Sequence, residues 1–261
     1  FDDALRQAVA VQLQQTPFLT LLPDQRIQRT LRLMQRPGEV AVTGDTAREI
    51  CQRAGARATV EGSIAAIGSN FVITLGVYNC QTGESIAKQQ VQASSKEDVL
   101  TQLGVAVKAL RQNLGESLAS IEKYDVPVTE ATTSSLDALR AYGQGLRTRV
   151  TRGDDAAIPF FRQATERDAS FALAYAKLGV VYSNTGREAE AREATKKAWE
   201  LRDKVSDYER LYINWNYATR VLRDQKAAKE ALDVLTTAYP RDFAARNNFG
   251  VYYNNAGEFE Q

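Results

Sequence analysis

One spacing of small and large residues constrains this chain more than anything else in it: Tyr175, Leu178, Gly179 and Tyr182, then Gly186, then Ala191, Thr195 and Ala198, within 172–205. Each run has a helical period and a glycine lies between them, which predicts two helices joined by a tight turn. Gly179 and Ala191 are small where two such helices would cross closely, and the larger residues would fill the space beside the crossing. A shift of 34 residues toward the amino terminus lands on Gly145, Ala157, Phe161 and Ala164, so 135–169 read as a preceding pair. Its first helix fits less well, with Ala141, Gln144 and Thr148 at the large positions, and Pro159 falls in the first turn of its second helix, where proline is tolerated. Trp215, Ala218, Leu222, Ala231, Leu235 and Ala238 give a third pair displaced by 40 residues, opened by a Ser206/Glu209 capping box. Phe249, Gly250, Tyr253 and Gly257 begin a fourth, for which only the first helix is expected.

The pattern resembles the tetratricopeptide repeat, W-x₂-L-G-x₂-Y followed by A-x₃-F. That resemblance implies an all-α solenoid over 135–261, three repeats plus the first helix of a fourth, whose first helices line an inner face open to peptides. In the family's register this face would carry Leu139, Tyr142, Leu146 and Arg149, then Leu173, Ala176, Val180 and Asn184, then Asn216, Arg220 and Arg223, then Asn247, Val251 and Asn254. Arginine forks onto a carboxylate and asparagine pairs with a peptide backbone. The candidate groove residues are therefore Tyr142, Arg149, Asn184, Asn216, Arg220, Arg223, Asn247 and Asn254, suited to an acidic or carboxyl-terminal segment. The competing reading is that exposed Arg and Asn on a helix are simply solvated.

Residues 1–120 alternate between two periods. Ala4, Leu5, Ala8 and Val9 mark one helix, Ile27, Leu31 and Met34 a second, and Ala47, Ile50, Cys51 and Ala54 a third. Between the first two, the apolar run 18–22, bounded by Pro17 and Pro23, predicts a short buried strand. From Ala58 the period is two: Ala58, Val60, Ile64 and Ala66, then Phe71, Ile73, Leu75 and Val77, then a third extended segment, Ser85–Ala93. Ser94 and Glu97 read as a capping box before Val99, Leu103, Ala106, Leu110 and Leu114. The fold class expected is an α+β amino-terminal domain, a small antiparallel sheet with helices, over 1–120. A linker at 121–134 containing Pro127, Thr129, Thr132, Thr133 and Ser134 would then lead into the helical array.

Gly55-Ala56, Glu61-Gly62-Ser63, Phe71-Val72-Ile73-Thr74-Leu75 and Cys80-Gln81-Thr82-Gly83-Glu84 are similar to the core of amino-terminal domains of the TolB type, and the resemblance covers roughly 1–118. A TolB-like domain, a linker and tetratricopeptide repeats in that order resemble the extracytoplasmic carboxyl-terminal region of membrane-anchored bacterial serine/threonine protein kinases of acidobacterial type. The resemblance implies a periplasmic sensor or scaffold region, with the kinase and its membrane helix upstream. Phe1 in place of Met and the unfinished fourth repeat are expected of a piece of a longer protein. The alternative is the sensing half of a transcriptional regulator or nucleotide cyclase, which would be cytoplasmic. Cys51 and Cys80 are either paired or two free core thiols, and an extracytoplasmic setting leaves both open.

Composition removes most catalytic readings. The chain has no histidine, which excludes Ser-His-Asp and Cys-His nucleophiles, histidine-ligated zinc and a kinase H-R-D loop. Gly143-Gln144-Gly145 lacks the third glycine of a dinucleotide fingerprint. Asp2-Asp3, Glu97-Asp98 and Asp154-Asp155 sit at helix starts, where they complement the dipole. A net charge of +1 offers no field for nucleic acid, and no stretch reaches the roughly 18 apolar residues of a membrane span. The expectation is therefore no catalysis, no cofactor, no metal, no nucleic acid and no membrane contact by this stretch. A protein or peptide partner is expected, with a homodimer open.

Overall fold

The first three helices, α1 (Asp3–Gln14), α2 (Asp24–Leu33) and α3 (Gly44–Arg53), bury the residues their spacing selects: Ala4, Leu5, Ala8 and Val9 in α1, Leu31 in α2, Ile50 and Cys51 in α3. The structure, a computed structural model, describes residues 3–36, 42, 44–240 and 246. It is mixed, mostly helical with one small sheet. The run 18–22 corrects its sequence reading. It has no regular secondary structure and joins no sheet, and Phe18 is 43% exposed while Leu19 and Leu21 pack on the core.

The period-two stretch forms β1 (Ala58–Ile67), β2 (Asn70–Asn79) and β3 (Ser85–Ala93), antiparallel and in that order. Ile64 lies opposite Ile73 and Ile73 opposite Val91, so one face collects the apolar residues. Helix α4 (Val99–Asn113) covers that face with Leu100, Leu103, Val107 and Leu110. Its amino terminus departs from the expected box. Asp98 takes the cap position, its carboxylate accepting from the Ser94 backbone N–H at 3.0 Å. Cys51 and Cys80 form a disulfide, Cα to Cα 6.0 Å, which staples α3 to the end of β2. Arg48 Nε and Gln52 Nε2 both donate to the Cys80 carbonyl at 2.9 and 2.6 Å, reinforcing the same junction.

The segment read as a linker is packed. It contains most of α5 (Leu118–Tyr124) and all of α6 (Val128–Ala131), whose Ile121 and Ala131 are fully enclosed. Gln15 pairs with the Val126 backbone in both directions, at 2.9 and 2.8 Å, and Gln12 donates to the same carbonyl. Arg111, also fully enclosed, forks onto Glu116 at 2.8 and 2.9 Å and reaches Asp125 at 3.0 Å. Glu116 in turn accepts from Ser120 Oγ at 2.7 Å. Buried charge is tolerated here because each group is partnered.

Three helix pairs follow: α7 (Leu136–Arg152) with α8 (Asp154–Arg167), α9 (Ala172–Asn184) with α10 (Glu188–Glu200), and α11 (Asp207–Tyr217) with α12 (Gln225–Ala238). The extra residues of the third pair appear as a 3₁₀ turn, Arg202–Lys204, and a π-helical extension of α11, Ala218–Leu222. The small residues do what their spacing implies. A Cβ on Gly145 would stand 2.8 Å from the Phe161 ring, and one on Gly179 would collide with Thr195 Oγ1 and stand 3.2 Å from the Ala191 carbonyl. Thr195 replaces a larger residue in the pattern. Its hydroxyl is tied to Ala191 O at 2.7 Å, so α9 and α10 close over it. One apolar cluster runs from Leu5 and Leu13 through Leu75 and Leu103 to Tyr142, Phe161, Val181 and Ile213. Sheet and helix pairs share a core.

Candidate functional site

The first helices of the three pairs turn side chains toward a common face: Tyr142 and Leu146 from α7, Leu173 and Lys177 from α9, Tyr208 and Tyr212 from α11. Tyr239, just past α12, closes one end. Opposite them stand Gln7, Ala10 and Gln14 of α1 and the extended segment 16–24, leaving a cavity of about 230 Å³. Helix α1 is seated firmly beside it: Arg147 pairs with Asp3, and a Cβ on Gly143 would lie 3.2 Å from the Asp3 carbonyl.

The candidate groove residues do not form one continuous surface. Tyr142 is enclosed between Phe161 and Phe171, ring centroids 5.7 and 5.0 Å away, so it belongs to the floor. Arg149 and Asn184 are brought together by one carboxylate: Arg149 Nε donates to Asp154 Oδ1 at 2.5 Å and Asn184 Nδ2 to Asp154 Oδ2 at 2.7 Å. Asn216 is fully buried, donating to Tyr212 O at 2.7 Å and accepting from Arg220 Nη1 at 2.5 Å. Arg223 leaves the face. It takes a left-handed conformation, φ 53°, after the π-helical segment and pairs with Glu188 at 3.2 Å. Asn247 and Asn254 lie outside the described residues.

Two residues of the site carry no groove signal in the sequence. Lys177 holds its ammonium 4.1 Å above the Tyr212 ring. The Tyr212 phenol is raised by burial, but the positive charges of Lys177, Arg220 and Arg149 outweigh that and hold it below its ordinary value. Glu209 is the second. Ser206 Oγ accepts from the Glu209 N–H at 3.3 Å, so the cap exists, yet the carboxylate does not reach back to complete the box. It is 2% exposed and neither oxygen has a hydrogen-bond partner. Burial pushes the Glu209 carboxyl well above its usual range, and Lys177 offsets only part of this.

The sign of that shift gives a test. A carboxyl whose folded-state pKa is raised binds a proton more tightly folded than unfolded, so it withdraws stability as pH rises above the unfolded value near 4.5. Glu209→Gln removes the titration. Chemical denaturation of both proteins between pH 4 and 8 is expected to show the variant gaining on the wild type as pH rises. Parallel profiles would contradict the assignment.

Among the described residues no cluster of three His, Cys, Asp or Glu side chains could hold a metal, and no helix is long and apolar enough to cross a membrane. Compared with protein-family models and with curated proteins, the chain matches none, so its function is read from this geometry alone.

Proposed function

We propose that this chain is a non-catalytic sensor or scaffold region that binds a protein or peptide along the inner face of a tetratricopeptide-type array. We place it in the extracytoplasmic part of a membrane-anchored bacterial serine/threonine kinase. The Cys51–Cys80 disulfide supports an oxidising compartment. Three successive helix pairs, the first two with a glycine where the helices cross, support the array.

The observation that carries the binding reading is an imbalance of charge on that face. Arg149 is neutralised by Asp154 and Arg223 by Glu188. Among the described residues Lys177 and Arg220 have no ion pair, and Arg220 Nε is buried without a hydrogen-bond partner. Glu209 is buried with neither carboxylate oxygen hydrogen-bonded among the described residues, so it makes no ion pair with either cation. Lys177 lines the aromatic- and leucine-rich cavity and the Arg220 charge acts on Tyr212 in its wall, which suits a peptide whose apolar side chain enters the cavity while its carboxylate is drawn to these two cations.

Titration of an acidic carboxyl-terminal peptide against wild type and the Lys177→Glu/Arg220→Glu variant tests this. At least a tenfold loss of affinity is expected at a temperature where circular dichroism shows the variant still folded, since a desolvated charge partner is typically worth about 2 kcal/mol or more. Equal binding would overturn the placement.

A further inference from the structure

Residues 17–23 join α1 to α2 as a strap without regular secondary structure, bent at Pro17 and Phe18, that lines the same cavity as the first helices of the three pairs. Its burial alternates: Leu19 and Leu21 pack on the core while Phe18 and Thr20 face outward. That is how a strand behaves, yet no strand is beside it. Among the described residues the backbone of 19–22 makes no hydrogen bond, and the nearest one is local, Phe18 N–H to Thr16 Oγ1 at 3.1 Å. The strap is therefore held by inserted side chains, with a proline at each end restricting its backbone. Its two flanking helices are latched by an ion pair between Arg6 and Asp24 at 3.5 Å, both substantially exposed and so weak. The fit is incomplete, since about 230 Å³ stays open between strap and helices.

An uncharged segment with alternate leucines, whose residues 19–22 pack on the core through side chains and make no backbone hydrogen bond among the described residues, has the form of a bound ligand. We propose that the strap is a built-in occupant of the peptide site. The partner is then an extended apolar segment with the same alternation, and it enters by displacing the strap. This rests on the peptide-binding reading above and adds the partner's chemistry and the competitor it must remove. A partner with larger side chains would fill the space that Leu19 and Leu21 leave.

The test uses a fluorescein-labelled peptide of the strap sequence, Thr-Pro-Phe-Leu-Thr-Leu-Leu-Pro-Asp, followed by anisotropy. Wild type is expected to bind it weakly and the Leu19→Asp/Leu21→Asp variant, its own strap expelled, at least tenfold more tightly. A peptide with both inward leucines replaced by aspartate should bind neither. In wild type, saturating peptide should shift the Leu19 and Leu21 methyl resonances toward those of a free chain, a readout that needs no variant. A folded variant that binds no more tightly than wild type, or strap methyl resonances unmoved by saturating peptide, would overturn the competition. The acidic-peptide titration with Lys177→Glu/Arg220→Glu still judges the site by itself. Binding of the acidic peptide with none of the strap peptide, to either protein, would overturn the apolar preference.

Discussion

Arg111→Ala is expected to cost about 3–5 kcal/mol of folding stability, the usual result of removing one member of a buried ion pair. The guanidinium is fully enclosed, and its loss leaves the Glu116 carboxylate, itself almost without exposure, with only the neutral Ser120 and Thr16 hydroxyls. Asp125, paired with Arg111 at 3.0 Å, keeps Lys108 at 3.3 Å and loses less. Urea denaturation should show a lower midpoint at unchanged slope, because the denatured chain is not altered. Glu116 gives the effect a pH signature. Burial opposes its ionisation, but the hydrogen bonds from Arg111, Ser120 and Thr16 and the Arg111 charge prevail and hold it below its ordinary value. Such a carboxylate contributes stability above the unfolded pKa near 4.5 and loses it as pH falls through the folded value. The gap between wild type and variant should therefore narrow below pH 4.5. A constant gap would mean that the arginine acts through packing alone.

Reduction of the Cys51–Cys80 bond is the second large effect. The two cysteines are 29 residues apart, and in the loop-entropy account opening such a loop frees denatured-state conformations worth about 3–4 kcal/mol. The native junction should survive, because Arg48 and Gln52 still hold the Cys80 carbonyl and Arg48 Nη2 the Gln81 carbonyl at 2.5 Å. The expected result is a lower urea midpoint with a steeper slope, since the reduced denatured chain exposes more surface, and with no change in the native circular dichroism spectrum. Loss of native signal on reduction without denaturant would show that the bond holds α3 by itself.

How much of this was legible beforehand depends on what each signal encodes. Sheet register and helix pairs follow from periodicity, which reports which side of an element is buried; Ile73, Leu75 and Gly179 are where that reading puts them. A different signal misassigned 18–22: a short apolar run between two prolines implies burial and says nothing about a hydrogen-bonded neighbour. The groove residues were named from register, which gives direction but not partners. Asp154, read as a helix-start charge, is also what occupies Arg149 and Asn184. Glu209 matched a capping box through its spacing to Ser206, and spacing fixes the backbone bond while leaving the carboxylate free to turn inward. The polar, proline-containing composition of 121–134 resembles a linker, while its anchors, Gln12, Gln15 and Arg111, lie elsewhere in the sequence.

The seating of α1 bears on the order in which the molecule assembles. This helix is synthesised ahead of its landing sites, which lie on α4, on the Val126 backbone 111 and 114 residues away, and on Arg147, 144 residues from Asp3. Until those are synthesised, its apolar stripe of Ala4, Leu5, Ala8 and Val9 has nowhere native to go. Such distant closure slows assembly and lengthens the interval in which a nascent chain needs shelter from its neighbours. Helix α1, made well before the segments that receive it, is thus among the last pieces of this region to dock.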